Sequence, residues 1–201
     1  MKITRLFCTV LFCCLSLISF SGAALAGHES DSNTWYGLNA GAASPTGLYN
    51  VFFGESAGRL TTTGCCNAFI GRFAGYSNTT GESNVFVGNN SGQDNVTGSD
   101  NTFVGRLAGT NNTASQNTFL GSQSGYSNTT GNEQVFIGYE AGRASTTAQG
   151  GTYVGYHAGV AATGSYNTLI GGLAGQATTT GQGNTFVGRR AGQDNTVGYY
   201  N

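Results

Sequence analysis

The chain has 201 residues, of which only 8% are charged, with 34 glycines and a single proline. Beyond residue 26, six arginines face nine acidic side chains, a net charge of about −3, so the basic footprint that binds nucleic acid or anionic lipid is missing. Low charge and abundant Gly, Ser, Thr and Asn can signal disorder, but an apolar triplet recurs here in register, which disordered low-complexity sequence does not maintain.

Residues 1–26 read as an export signal. Lys2 and Arg5 form the charged start, residues 6–20 are apolar, and Ala24-Leu25-Ala26 is a small-residue cleavage site. The apolar stretch is short for a membrane span, and nothing later is apolar enough to cross a bilayer. Cys13 and Cys14 sit inside that stretch rather than after a small-residue box, which does not support a lipid anchor. The mature chain is expected to begin at Gly27, with a short leader at 27–32, and to be exported and soluble.

From Asn33 one unit is written ten times: Asn-Thr-Phe-Val-Gly, two variable residues, Ala-Gly, then a Thr/Asn-rich return. The units start at Asn33, Asn50, Asn67, Asn84, Asn101, Asn117, Gln134, Gly151, Asn167 and Asn184, a period of 17 residues shortened to 16 after Asn101 and Gly151. A fixed short period means stacked supersecondary units, each unable to bury its apolar side alone. The spacing predicts an all-β β-solenoid over 33–201.

The third position is aromatic or Leu: Trp35, Phe52, Phe69, Phe86, Phe103, Phe119, Phe136, Tyr153, Leu169 and Phe186. The fourth is mainly aliphatic: Tyr36, Phe53, Ile70, Val87, Val104, Leu120, Ile137, Val154, Ile170 and Val187. Such residues bounded by Gly mark a strand, and neighbours in a strand point to opposite faces. The aromatic column is therefore the expected core, and both sheet faces are expected to be covered. Gly at the fifth and ninth positions of every unit, such as Gly121 and Gly125, brackets a small residue and predicts a tight corner that needs positive φ or close backbone approach. The return, such as Ser77-Asn78-Thr79-Thr80, reads as a second, more polar strand. Ten coils at roughly 4.8 Å make a rod about 48 Å long, with the Asn column stacked as an amide ladder.

Burial decides whether one chain suffices. Ordering a residue's backbone costs roughly 1–2 kcal/mol, while burying a large apolar side chain returns about 1.5–3 kcal/mol. A coil with about two such side chains does not balance on burial alone, so the second apolar face calls for a partner and a homo-oligomer is expected.

The unit Asn-Thr-Phe-Val-Gly-Arg-Leu-Ala-Gly-Thr-Asn-Asn-Thr at 101–113, and its copies at 84–98 and 184–198, resembles the head repeats of trimeric autotransporter adhesins. Similar Asn/Thr-rich units occur in phage tail fibres and in surface proteins that carry a self-cleaving chaperone domain. The resemblance covers 33–201. It implies a left-handed parallel β-roll, a homotrimer on a bacterial surface or outer-membrane-associated structure, and attachment to host, matrix or cell-surface molecules. No ligand motif transfers residue by residue.

The remaining chemistry is sparse. His28 lies in the leader, and His157 occupies a variable corner position, where it reads as a tolerated substitution. The acidic residues are scattered over turns with no acid and base pair, so an enzyme is not expected. No metal or cofactor site is expected either, because the nonapeptide calcium pattern is absent. Cys65 and Cys66 are adjacent in the turn before Asn67. A ring between neighbours violates ordinary disulfide geometry, so an interchain bond around an oligomer axis competes with free thiols. Two alternatives stand beside the adhesive reading. One is a monomeric solenoid acting as spacer or matrix protein. The other, more remote, is ice binding through the Thr column, for which Thr-x-Thr spacing occurs only at Thr61/Thr63 and Thr178/Thr180.

Overall fold

The computed structural model describes residues 28–30, 32–43 and 45–201; the expected export signal lies outside them. Among the described residues the elements are all β and form one sheet in chain order. Strand β1 (His28–Ser30) runs antiparallel to β2 (Asn33–Tyr36), so part of the expected leader is a strand that covers the sheet's first edge. Parallel strands follow at a rate of one per unit. They are β3 (Val51–Phe53), β4 (Ala68–Ile70), β5 (Val85–Val87), β6 (Thr102–Val104), β7 (Thr118–Leu120), β8 (Val135–Ile137), β9 (Thr152–Val154), β10 (Thr168–Ile170) and β11 (Thr185–Val187). Pairing is strictly between equivalent positions, Phe52 with Phe69 and Phe119 with Phe136, so the chain is a parallel β-solenoid.

The third-position side chains point inward and stack. From Phe52 to Tyr153 consecutive rings lie 4.5–5.1 Å apart and within 12° of parallel, and Phe119 is fully buried. Leu169 and Phe186 continue the column. Each ring contacts the ring of the coil above and below, so burial is shared between neighbours and no coil is stable by itself.

Beside the rings runs a polar interior. Asn84 shows its logic: its Oδ1 accepts the Asn101 amide N–H at 3.0 Å and Asn101 Nδ2 at 3.1 Å, while its own Nδ2 donates to Asn67 Oδ1 at 3.1 Å and to the Gly98 carbonyl at 2.8 Å. A buried amide used on both ends in this way recovers what it lost in leaving water. A second interior polar column, at the twelfth position, was not legible as such. Asn78, Asn95, Asn112 and Asn128 are all buried there, and Asn95 Nδ2 bonds the Gly98 carbonyl at 2.9 Å.

One expectation is corrected. The return segments are not a second strand. They do bond from coil to coil, but the amides of Thr62 and Gly64 converge on one acceptor, the Thr79 carbonyl, and those of Thr79 and Thr80 on the Val96 carbonyl. One carbonyl serving two donors bends the chain inside a residue or two, which an evenly spaced parallel ladder cannot do. The threonine hydroxyls of this column are committed as well: Thr79 Oγ1 bonds the Val96 carbonyl at 3.0 Å and Thr129 Oγ1 the Thr146 carbonyl at 3.1 Å. Within the single chain the sheet is covered on one face. The fourth position faces outward, with Phe53 53% exposed, Ile137 37% and Val187 67%.

One coil departs from the pattern and compensates for it. Gly151 stands in the Asn column and lacks the amide by which Asn50 and Asn67 reach the equivalent carbonyl of their own coils, so the Gly164 carbonyl keeps only the Asn167 Nδ2 donor, at 3.0 Å, from this column. Two residues on, the Phe column has Tyr153, whose hydroxyl donates to Gly164 O at 3.4 Å. Burial pushes this phenol up to about 12. Because the folded state holds the proton more tightly than the unfolded chain, the contribution is intact below about pH 10 and is lost as pH rises toward 12, a swing of about 2–3 kcal/mol. Melting temperature is therefore expected to fall across that window, and to fall less in Tyr153→Phe. Parallel pH profiles for the two proteins would count against this role.

Candidate functional site: the corner surface

The strand ends at the fifth-position Gly, and the next two side chains project from the corner. All ten seventh-position residues have φ between 53° and 64°. Asn39, Asn90 and His157 suit that conformation, whereas Phe73, Leu107, Glu140 and Arg190 adopt it against their preference. The scaffold therefore fixes the backbone and leaves the side chain free to vary. Because each corner sits one coil spacing from the next, side chains 17 residues apart meet.

They do so in two clusters. In the first, Arg72 Nε pairs with Glu55 Oε2 at 3.0 Å and its guanidinium lies over the Phe73 ring at 4.1 Å. Phe73 meets Tyr76 edge to face, with centroids 5.5 Å apart and planes at 86°. Arg59 Nη1 donates to the Tyr76 hydroxyl at 3.1 Å, and Asn90 bonds Gln93. Arg59, Phe73, Tyr76, Asn90 and Gln93 together line an open groove of about 280 Å³. In the second cluster Tyr139 stacks on Tyr156 at 5.7 Å, and Tyr156 on His157 at 4.0 Å. His157 Nε2 lies 3.4 Å from Glu140 Oε2, so this histidine has a carboxylate partner as well as a ring contact. The Tyr139 phenol is pushed above its ordinary range, chiefly by its hydrogen bond to Glu140. Of the variable corner pairs in the sequence, Arg72/Phe73 and Tyr139/Glu140 fall in these clusters. Arg106/Leu107 and Arg189/Arg190 do not.

Cys65 and Cys66 are free thiols on a surface turn, with Cys66 Sγ donating to Cys65 Sγ at 3.2 Å, and Cys66 is exposed. The Cys65 thiol is pushed up to about 11, first by its hydrogen bond with Cys66. Asn78, Asn95 and Asn128, each the first residue of an Asn-x-Ser/Thr triplet, are buried, so their amides are closed to modification in the folded chain. Phe52, Phe69, Phe86, Phe103, Phe136 and Tyr153 are interior, while Phe186 is only partly buried. No group of three His, Cys, Asp or Glu side chains arranged to hold a metal occurs among the described residues. Nor, among those residues, is any helix long and apolar enough to cross a membrane.

Parallel stacking of equivalent coils defines the class, a repeat β-solenoid with a varied corner surface. No family model matches the chain, and neither a curated protein nor a solved structure does so.

Proposed function

We propose that the chain is an exported structural and adhesive rod of a bacterial surface, non-catalytic and homotrimeric, that attaches to host, matrix or cell-surface molecules through its corner side chains. The observation that carries this reading is the division of labour within each coil. The interior positions draw on a narrow set, Phe, Asn, Ala and Gly in most coils with Leu169, Gln134 and Thr178 among the exceptions, while the corner pairs change in every coil and cluster into aromatic and charged groups. Such a surface offers many modest contacts on a rigid scaffold, which suits multivalent attachment. The outer sheet face supports self-association. It carries no charged residue at the second or fourth position of any unit, and Phe53, Ile70, Val104, Leu120, Ile137 and Ile170 form an exposed apolar stripe along it.

One observation favours the alternative, a monomeric spacer: the aromatic column is already buried within a single chain. Light scattering separates the two readings. The mature protein is expected to show three times the chain mass, falling to one in Ile137→Glu. A clean monomer in the unmodified protein would remove the trimer.

A further inference from the structure

We propose that the groove between Arg59, Phe73, Tyr76, Asn90 and Gln93 is a binding site for an acidic carbohydrate, a sugar chain bearing carboxylates such as a polyuronate. This rests on the adhesive reading and names a ligand class for one part of the corner surface.

Three features point to this chemistry. The first is charge. Arg59 is half-buried, its guanidinium donates to the Tyr76 hydroxyl, and no carboxylate lies within ion-pairing distance of it among the described residues. This contrasts with Arg72 next door, which is paired with Glu55. A guanidinium has five donors in a planar fork, so most of its capacity for a carboxylate remains open.

The second is the pairing of two aromatic rings at 86° with the amides of Asn90 and Gln93. A pyranose has an aliphatic C–H face and a rim of hydroxyls. The ring surface of Phe73 and Tyr76 left open by Arg72 and Arg59, which lie over the two rings at 4.1 and 5.6 Å, matches the former, and the amide capacity that remains on Asn90 and Gln93 beyond their mutual bond and the Gln93 Nε2 contact with Asp94 Oδ1 at 3.4 Å matches the latter.

The third is what the groove does not offer. The amides of Phe73, Tyr76 and Asn90 are spent on the carbonyls of Glu55, Phe73 and Arg72, so an extended peptide finds no free strand edge here. Recognition must run through side chains. A volume of about 280 Å³ is open and small, the scale of a single sugar ring within a longer chain. The constellation is also local: the positions equivalent to Arg59 and Phe73 pair Thr110 with Gln123 and Val160 with Leu173 further along the rod.

The test is calorimetric titration of the mature protein with trigalacturonate, against the neutral galactose trimer. Saturable binding of the charged trimer is expected, at least tenfold tighter than the neutral one. Arg59→Gln is expected to erase that difference, and Tyr76→Ala to abolish binding of both, with circular dichroism unchanged. Arg106→Gln, an exposed corner arginine outside the groove, should leave binding as it is. Equal affinity for the two trimers, indifference to Arg59→Gln, or an equal loss in Arg106→Gln would each overturn the proposal. Attachment of the protein to cells is read separately, so an unmodified protein that attaches but binds no uronate refutes only the ligand, and one that binds uronate but does not attach refutes only the rod's adhesive role.

Discussion

Phe119→Asp is expected to leave the protein unfolded or disassembled at room temperature. Phe119 is fully buried, with the rings of Phe103 and Phe136 at 4.7 and 4.9 Å on its two sides. Truncating a buried Phe costs about 3–5 kcal/mol, and a carboxylate placed among ring faces adds the desolvation of an unpaired charge, several kcal/mol more. The loss does not stay local, because the two adjoining coils each lose half of their aromatic contact. Gln123→Asp, four residues away, is the control. Gln123 is a half-buried corner residue with φ of 58°, a conformation that Asp tolerates, so the change should stay within about 0.5 kcal/mol. Thermal melts compare them directly. Equal melting points would mean that the ring column is not what holds the coils together.

The corner glycines give the second large effect. Gly121 has φ of +133°, and a Cβ there would lie 2.3 Å from the Gly138 carbonyl oxygen of the next coil. Gly125 has φ of +59°, and its Cβ would meet the Phe119 ring at 2.5 Å. Conformational strain of about 1–3 kcal/mol and overpacking of similar size act together at both. At Gly121 the colliding atom is backbone and cannot move aside without breaking the ladder, so Gly121→Ala is expected to be the worse of the two. Both should lower the melting temperature by about 10 °C or more, taking roughly 2–4 °C per kcal/mol for a chain of this size. Gly172 supplies the contrast, since nothing lies within 4 Å of a Cβ there. Wild-type melting in Gly121→Ala and Gly125→Ala, or an equal loss in Gly172→Ala, would remove the corner assignment.

The parts of the fold that repeat were legible in the sequence. The period sets the register, the alternation of Phe and Val sets the two faces, and invariant Gly marks the corner. What escaped was of two kinds. The first is backbone chemistry without a side-chain signature. The return reads as Thr-rich and therefore strand-like, but its path depends on two amides sharing the Thr79 carbonyl, which no residue type announces. The leader's pairing with β2 was hidden for the same reason, since three residues carry too little pattern to declare a strand. The second kind is compensation between columns. Gly151 looks like a lapse until Tyr153 is seen to donate to Gly164, because the substitution and its remedy sit in different columns. The corner clusters lay between these cases. Arg59 and Tyr76, and likewise Tyr139 and Tyr156, are 17 residues apart, so the register places them side by side, and writing the variable positions as columns would have exposed them.

In the proposed function, attachment is spread along a rod of equivalent coils rather than lodged in one pocket. Its most direct test is adhesion, with circular dichroism, across a series of proteins that each lack one complete unit, for example residues 117–133. Each coil touches mainly its neighbours, so every deletion is expected to give a shorter folded rod with attachment reduced by degrees. Removal of residues 67–83, which takes Phe73 and Tyr76 with it, should abolish uronate binding but only weaken attachment. If one deletion abolished attachment outright while the other folded rods kept it in full, the distributed account would be contradicted.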